Sequence, residues 1–119
     1  MVDVTLWHNP RCSKSRAALR LLTEAGANVT ERRYLDDVPT RAEIDALRAA
    51  LGNPAPVGMM RVKETEFRAM GLSRGSDAEV LLDAIVTCPK LLERPVAVVG
   101  ARAVIGRPPE DVLGLLASE

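Results

Sequence analysis

The first third of the chain reads as a strand, a helix and a second strand, and this order restricts the possible folds more than any other feature. Residues 2–7 alternate apolar and polar side chains, which is typical of a half-buried strand. Apolar residues then recur at helical spacing over residues 17–25, and Gly26 provides a C-terminal stop. Residues 29–35 return to an extended pattern with β-branched and aromatic side chains. Two strands joined by a helix normally pair in parallel through a right-handed crossover, so the sequence predicts an α/β domain.

The middle of the chain carries the signals of several helices. Thr40 and Glu43 have the spacing of a capping box at the start of a second helix. A short helix is predicted around residues 64–70. Ser76 and Glu79 repeat the capping-box spacing, and a longer apolar-periodic helix is expected to begin there.

The last third of the chain predicts a hairpin and a final helix. The apolar runs at residues 96–99 and 102–105 are separated by two residues, of which Gly100 comes first. A glycine in that position suits a tight hairpin turn, so an antiparallel pair is expected to complete the sheet. Pro108 and Pro109 then lead into a last amphipathic helix.

Length and composition exclude several classes of protein. The chain has 119 residues, enough for one domain with a single core, and 47% of them are hydrophobic. Sixteen basic residues balance sixteen acidic ones, so no overall charge draws the protein to nucleic acid or to a membrane surface. We find no apolar segment of membrane-spanning length and no signal-peptide pattern, and we therefore expect a soluble, cytoplasmic protein. We also expect no metal and no tightly bound cofactor.

Cys12 lies where the first predicted strand gives way to the first helix. The N–H groups at a helix start have no partner within the helix, and together with the helix dipole they favour an anion such as a thiolate. His8, Arg11, Lys14 and Arg16 add positive charge close to this position. The sequence therefore predicts a reactive thiol that faces an anionic substrate.

The second cysteine, Cys88, is expected to serve only in packing. It follows apolar residues at a predicted helix end, and its first cationic neighbour is Lys90. A structural disulfide is not expected in a domain that can build its own core. Ser15 stands three residues after Cys12, so a C-x-x-C pair is missing, and a second sulfur would have to come from another molecule.

Three segments are similar to the signature segments of the glutaredoxin-coupled arsenate reductase family. They are residues 8–12 (HNPRC), 92–95 (LERP) and 105–108 (IGRP), and the loop at residues 11–16 (RCSKSR) resembles a short branch of that family. The resemblance implies a thioredoxin-like fold with a mixed four-stranded sheet. It also implies one domain with a helical insertion, about residues 36–90, between the second and third strands.

The resemblance also implies an oxyanion site. Three arginines fall at positions that the family uses to hold the anion: Arg61, Arg94 and Arg107. A guanidinium keeps its charge at any working pH, and its planar fork matches two oxygens of a tetrahedral anion. Lys63 or Arg68 could compete with the first of these arginines. Related folds place a cis proline beside the active cysteine, which here would be Pro95.

The remaining candidates lie in the cysteine loop. We expect His8 to be a catalytic residue that supports the Cys12 thiolate electrostatically, and its place in the family motif strengthens this assignment. Asn9 and Ser15 can donate hydrogen bonds to a sulfur anion or to a bound oxyanion, although both residue types are also common in turns and at helix starts.

The activity implied by the resemblance is the reduction of arsenate to arsenite. In that reaction the Cys12 thiolate attacks arsenic, glutathione then displaces oxygen to form a mixed adduct, and glutaredoxin supplies the reducing step. A phosphatase-like arsenate reductase would need an arginine six residues after its cysteine, where this chain has Ala18.

Two other functions stay open at this point. One is a non-enzymatic transcriptional regulator of the Spx type, which shares this fold and binds RNA polymerase, but such proteins usually carry the C-x-x-C pair that is missing here. The other is a monothiol glutathione-dependent oxidoreductase with a different substrate, in which the arginines would hold the carboxylates of the tripeptide.

Overall fold

The computed structural model describes residues 1–117, and its contacts divide the chain into two compact units. The first unit contains Met1–Asp37 together with the chain from Arg94 onwards, and the second contains Val38–Glu93. The second unit covers nearly the same residues as the predicted helical insertion. The single domain expected from the length stays a prediction.

The first unit is built on the expected four-stranded mixed sheet. Its strands are β1 (Asp3–Trp7), β2 (Asn28–Arg32), β3 (Val96–Val99) and β4 (Arg102–Ile105). They lie in the order β2-β1-β3-β4; β1 pairs in parallel with β2, and the other two pairings are antiparallel. Gly100 has a φ of 59° in the β3–β4 turn, which confirms the predicted hairpin.

Helix α1 (Ser13–Glu24) packs against this sheet and closes the core of the first unit. The core follows the alternation of β1, whose inward side chains meet the apolar stripe of the helix. Its buried members are Val4, Leu6, Ala18, Leu22, Ala97, Val99, Val112 and Leu115. This packing fixes the start of α1 at the end of β1, and so it fixes the place of Cys12.

Two boundaries in the first unit differ from those predicted. Strand β2 ends at Arg32 instead of residue 35, because the chain turns there and the carbonyl of Arg33 accepts from the N–H groups of Asp36 and Asp37. Tyr34, which suggested a longer strand, is fully buried in this turn. The last helix is also shorter than expected, with a 3-10 segment at Pro109–Leu113 before the single α-helical turn α5 (Gly114–Ala117).

The second unit is helical, as predicted. It contains α2 (Arg41–Ala50), α3 (Thr65–Ala69) and α4 (Ala78–Thr87), with 3-10 turns at Pro56–Met59 and Pro89–Leu91. No helix in the described part of the chain is long and apolar enough to cross a membrane.

The two predicted capping boxes have different outcomes. At α2 the box is present: the N–H of Glu43 donates to the Thr40 hydroxyl at 3.2 Å, and the N–H of Thr40 donates to the Glu43 carboxylate at 3.0 Å. At α4 the prediction is wrong, because the N-cap is Asp77 and its side chain makes no capping hydrogen bond. The Ser76 hydroxyl instead accepts from the N–H of Ser73 at 2.9 Å and closes the preceding turn.

Candidate active site

The loop between β1 and α1 presents Cys12 at the start of a helix. Cys12 is the N-cap residue of α1, with extended backbone angles, and its own N–H donates to the carbonyl of Asn9 at 3.0 Å. Its thiol is half-buried. The backbone N–H groups of Lys14 and Ser15, which have no partner within the helix, lie near the sulfur and favour its charged form, although the Cys12 side chain makes no capping hydrogen bond. The predicted place of Cys12, between the first strand and the first helix, is therefore confirmed, and its reactivity stays a prediction.

The surroundings of Cys12 lower the pKa of its thiol. Burial alone would raise this pKa, because it disfavours the charged form. The N–H groups of Ser15 and Lys14, followed by the hydrogen bond and charge of Arg94, outweigh burial. The net result is a thiol that ionises more readily than an ordinary cysteine, so a larger fraction of it is a nucleophilic thiolate near neutral pH.

Arg94 brings unused hydrogen-bond donors to this thiol. It precedes β3, and the Arg94–Pro95 peptide bond is cis, as the resemblance implied. Its Nε and Nη1 atoms are buried and have no hydrogen-bond partner within residues 1–117. Buried donors are almost always paired in folded proteins, so two such donors beside a low-pKa thiol indicate a place for an absent acceptor.

Arg107 approaches Cys12 from the other end of the hairpin. Its Nε donates to the carbonyl of Arg94 at 2.8 Å, and its Nη2 lies 4.0 Å from the Cys12 sulfur. The structure therefore brings together two of the three predicted arginines and the cysteine, although both arginines lie more than 80 residues after the cysteine in sequence.

Gly106 permits this approach and was not predicted as a site residue. A Cβ atom at this position would lie 2.9 Å from both Pro95 Cγ and Val112 Cγ1. Its N–H donates to the carbonyl of Pro95 at 2.8 Å, which ties the end of β4 to the start of β3. The glycine directly before Arg107 in the IGRP segment was the available signal.

His8 does not supply the positive charge expected of it. Its side chain is only 3% exposed, and burial lowers its pKa; Glu31 opposes this shift, whereas Arg33 and Arg16 add to it. The imidazole is therefore mostly neutral near pH 7. Among the described residues no hydrogen bond joins it to Cys12. Its Nδ1 instead lies 2.7 Å from the Ser15 hydroxyl oxygen.

Ser15 and Asn9 build the loop with their side chains. The Ser15 hydroxyl is fully buried, bonds with His8 and accepts from the N–H of Asn9 at 3.0 Å. That hydroxyl is not available to a bound anion, so Ser15 acts on Cys12 through its backbone N–H. The side-chain oxygen of Asn9 accepts from the N–H of Arg11 at 3.0 Å and orders the turn. A contact between Asn9 and a bound anion stays a prediction.

Arg61 belongs to the second unit, where two carboxylates surround it. Its Nη1 lies 2.9 Å from Glu64 Oε1, and its Nε lies 3.9 Å from Glu93 Oε1. Its predicted part in anion binding stays a prediction. Cys88 is the C-cap residue of α4 in the same unit, and both cysteines are free thiols.

The comparisons with known proteins agree with this arrangement. The model of the ArsC family matches residues 7–115, which is nearly the whole chain. The chain belongs to the ArsC family. A protein named arsenate reductase from Neisseria meningitidis serogroup A is 42% identical over 117 residues, which is 98% of this chain and 100% of that protein.

Solved structures place this ArsC-family member in the thioredoxin-like fold. A structure described as arsenate reductase from Vibrio cholerae has a TM-score of 0.91 and 38% identity, and the match covers 95% of this chain and 97% of that one. A putative arsenate reductase from Yersinia pestis has a TM-score of 0.88 and 42% identity, with 94% and 99% covered.

The first unit of this ArsC-family chain thus combines two chemical abilities. It holds a thiol that ionises readily at a helix start, and it directs guanidinium groups at the same point. Within residues 1–117 no group of three or more His, Cys, Asp or Glu side chains is placed to hold a metal ion. Nucleophilic attack on an oxyanion is the reaction that these groups can support.

Proposed function

We propose that the protein is an oxidoreductase that reduces arsenate to arsenite through a covalent adduct on Cys12. The observation that carries the proposal is the pair of buried, unpartnered donors of Arg94 beside a thiol of lowered pKa. The names of relatives about 40% identical support arsenate as the anion.

The first step is attack by the thiolate on arsenic. The Cys12 sulfur forms a bond to arsenic and one arsenate oxygen leaves as water, with protons taken from solvent. Arg94 and Arg107 neutralise the remaining oxygens, and the N–H groups of Lys14 and Ser15 hold the sulfur in line. These donors stabilise both the arsenate anion and the Cys12 thiolate, because the two negative charges meet at one electropositive point.

The two reducing electrons come from thiols outside the chain. We infer that glutathione attacks the arsenic adduct and displaces a second oxygen, and that a glutaredoxin thiol then attacks the glutathione sulfur. Glutathione and glutaredoxin leave joined by a disulfide, the arsenic gains two electrons, and water releases arsenite from Cys12. Ser15 at the third position after Cys12 offers no resolving sulfur, which favours this external route. Two free cysteines fit a cytoplasmic setting, where glutathione keeps thiols reduced.

An arsenate reduction assay tests the proposal. The unmodified protein should form arsenite when both glutathione and glutaredoxin are supplied, and omission of either should abolish turnover. Cys12→Ser should abolish turnover, and Arg94→Ala should lower kcat/KM about a hundredfold, the usual effect of removing one oxyanion donor. Arg20→Ala is the matched control, since this α1 side chain is 70% exposed. No turnover above background in the unmodified protein would refute the proposal.

A further inference from the structure

A recess in the first unit is lined by the loop that leads into Cys12, and it has no part in the steps above. Its volume is about 400 Å³. One wall is the loop that leads into Cys12, residues 8–11, and the other is the turn after β2, from which Arg33, Leu35 and Asp36 face the cavity. Because Arg11 is the residue before Cys12, anything bound in this recess contacts the loop that carries the sulfur.

The recess combines both signs of charge in a small space. Arg11 and Arg33 are exposed cations, and Arg33 Nη2 is only loosely paired with Glu31 Oε1, at 3.6 Å. Asp36 is an exposed anion in the same turn as Arg33. His8 contributes to the wall without a charge, because burial keeps it mostly neutral. This arrangement fits a ligand that carries a carboxylate and an ammonium close together.

We propose that this recess binds the γ-glutamyl end of glutathione, with Arg11 and Arg33 on the α-carboxylate and Asp36 on the α-ammonium. The inference rests on the proposed use of glutathione. In that tripeptide the γ-glutamyl end carries both charges on one carbon, whereas a peptide C-terminus carries only the carboxylate. About two extended residues, roughly 7 Å, separate this head group from the glutathione sulfur, so a head group beside Arg11 leaves the sulfur within reach of Cys12.

The inference can be tested without arsenate, so that its failure differs from a failure of the proposed function. Glutathione disulfide is mixed with the protein; the Cys12 thiolate attacks one sulfur, the old S–S bond breaks, a Cys12–glutathione disulfide forms, and glutathione thiolate leaves. The rate constant is measured by intact mass. Hydroxyethyl disulfide, which has no charge, reports the intrinsic reactivity of Cys12, and the disulfide of mercaptopropionate has carboxylates but no ammonium.

Arg33→Gln and Asp36→Asn should each slow the reaction with glutathione disulfide about fivefold, while the hydroxyethyl disulfide rate changes by less than about twofold.

Asp36→Asn is the more decisive of the two variants. Removing a negative charge should speed the approach of an anion through the general field, so slowing shows that Asp36 contacts an ammonium. The same variant should not slow the mercaptopropionate disulfide. Arg20→Gln, an equal charge change on exposed α1, should leave all three rates within about twofold.

Several results would overturn the inference. They are an Asp36→Asn variant that reacts faster with glutathione disulfide, equal slowing with the charged and neutral disulfides, a loss in Arg20→Gln as large as in Arg33→Gln, or no mixed disulfide at Cys12. An active arsenate reductase with any of these results would keep the proposed function and lose this binding site.

Discussion

At the scale of single residues, the nucleophile depends on donors from two distant parts of the sequence. The backbone at the start of α1 supplies two N–H groups, and Arg94 supplies charge from the start of β3. Both sources lower the pKa of Cys12 and together outweigh the burial that would raise it. The lowered pKa of this thiol is therefore a property of the folded first unit and not of the loop alone.

Alkylation of Cys12 as a function of pH should show this dependence. The rate with iodoacetamide follows the thiolate, so its midpoint in the unmodified protein should lie below the ordinary cysteine value of about 8.5. Arg94→Ala should move the midpoint upward, because a favourable charge and hydrogen bond are lost. Arg20→Ala should leave it in place. An unperturbed midpoint in the unmodified protein would contradict the structure.

His8 should make stability depend on pH in the mildly acidic range. The folded protein lowers the pKa of His8, so below the unfolded value of about 6.5 the unfolded chain binds a proton that the folded chain resists. The free energy of unfolding should therefore fall as the pH is lowered from 7 towards 5. Urea denaturation at each pH measures it, and His8→Asn should reduce the slope. A slope unchanged by this substitution would assign the effect to other groups.

At the scale of elements, the start of β3 and the end of β4 lie close together. Only the hydrogen atom of a glycine fits at position 106 without a close contact. Gly106→Ala should lower the free energy of unfolding by about 1–3 kcal/mol, the usual cost of overpacking, because the new methyl meets Pro95 and Val112. Gly114→Ala is the matched control, since nothing lies within 4 Å of its Cβ position. Urea denaturation compares the two, and equal effects would contradict the packing described.

The two capping-box patterns give a second test at this scale. Thr40→Ala removes a formed N-cap and should cost about 1 kcal/mol of stability. Ser76→Ala should cost less than about 0.5 kcal/mol, because the Ser76 hydroxyl caps no helix. Denaturant midpoints of both variants decide the point, and a larger loss at Ser76 would contradict the assigned N-cap of α4.

At the scale of the whole molecule, the proposed mechanism uses one sulfur of this chain, that of Cys12. Cys88→Ser should leave arsenate reduction within about twofold of the unmodified rate, because the resolving thiol is external in the proposed mechanism. After incubation with arsenate and glutathione, peptide mass spectrometry should find adducts at Cys12 alone. An internal disulfide that forms during turnover, or a large loss of rate in Cys88→Ser, would replace glutathione by Cys88 in the mechanism.

The sequence predicted the topology well because its signals are local. The β1–α1–β2 crossover and the β3–β4 hairpin each follow from periodicity and a turn glycine. The predictions are wrong where tertiary packing, and not a local sequence signal, decides the structure. Tyr34 is buried in a turn and was interpreted as strand, and Ser76 closes a turn and was interpreted as a cap. The charge of His8 depends on its burial and on Glu31, Arg33 and Arg16, which no spacing rule brings together.

The hydrogen bond from Arg107 Nε to the Arg94 carbonyl makes these two arginines unequal. Shortening the Arg94 side chain leaves its carbonyl in place. Arg107 therefore keeps this hydrogen bond, and the change stays confined to the Arg94 side chain. Shortening Arg107 removes one positive charge and also removes the hydrogen bond that holds the main chain of Arg94. A designer who wishes to change the proposed anion preference at Cys12 should therefore vary Arg94 first and treat Arg107 as part of the scaffold.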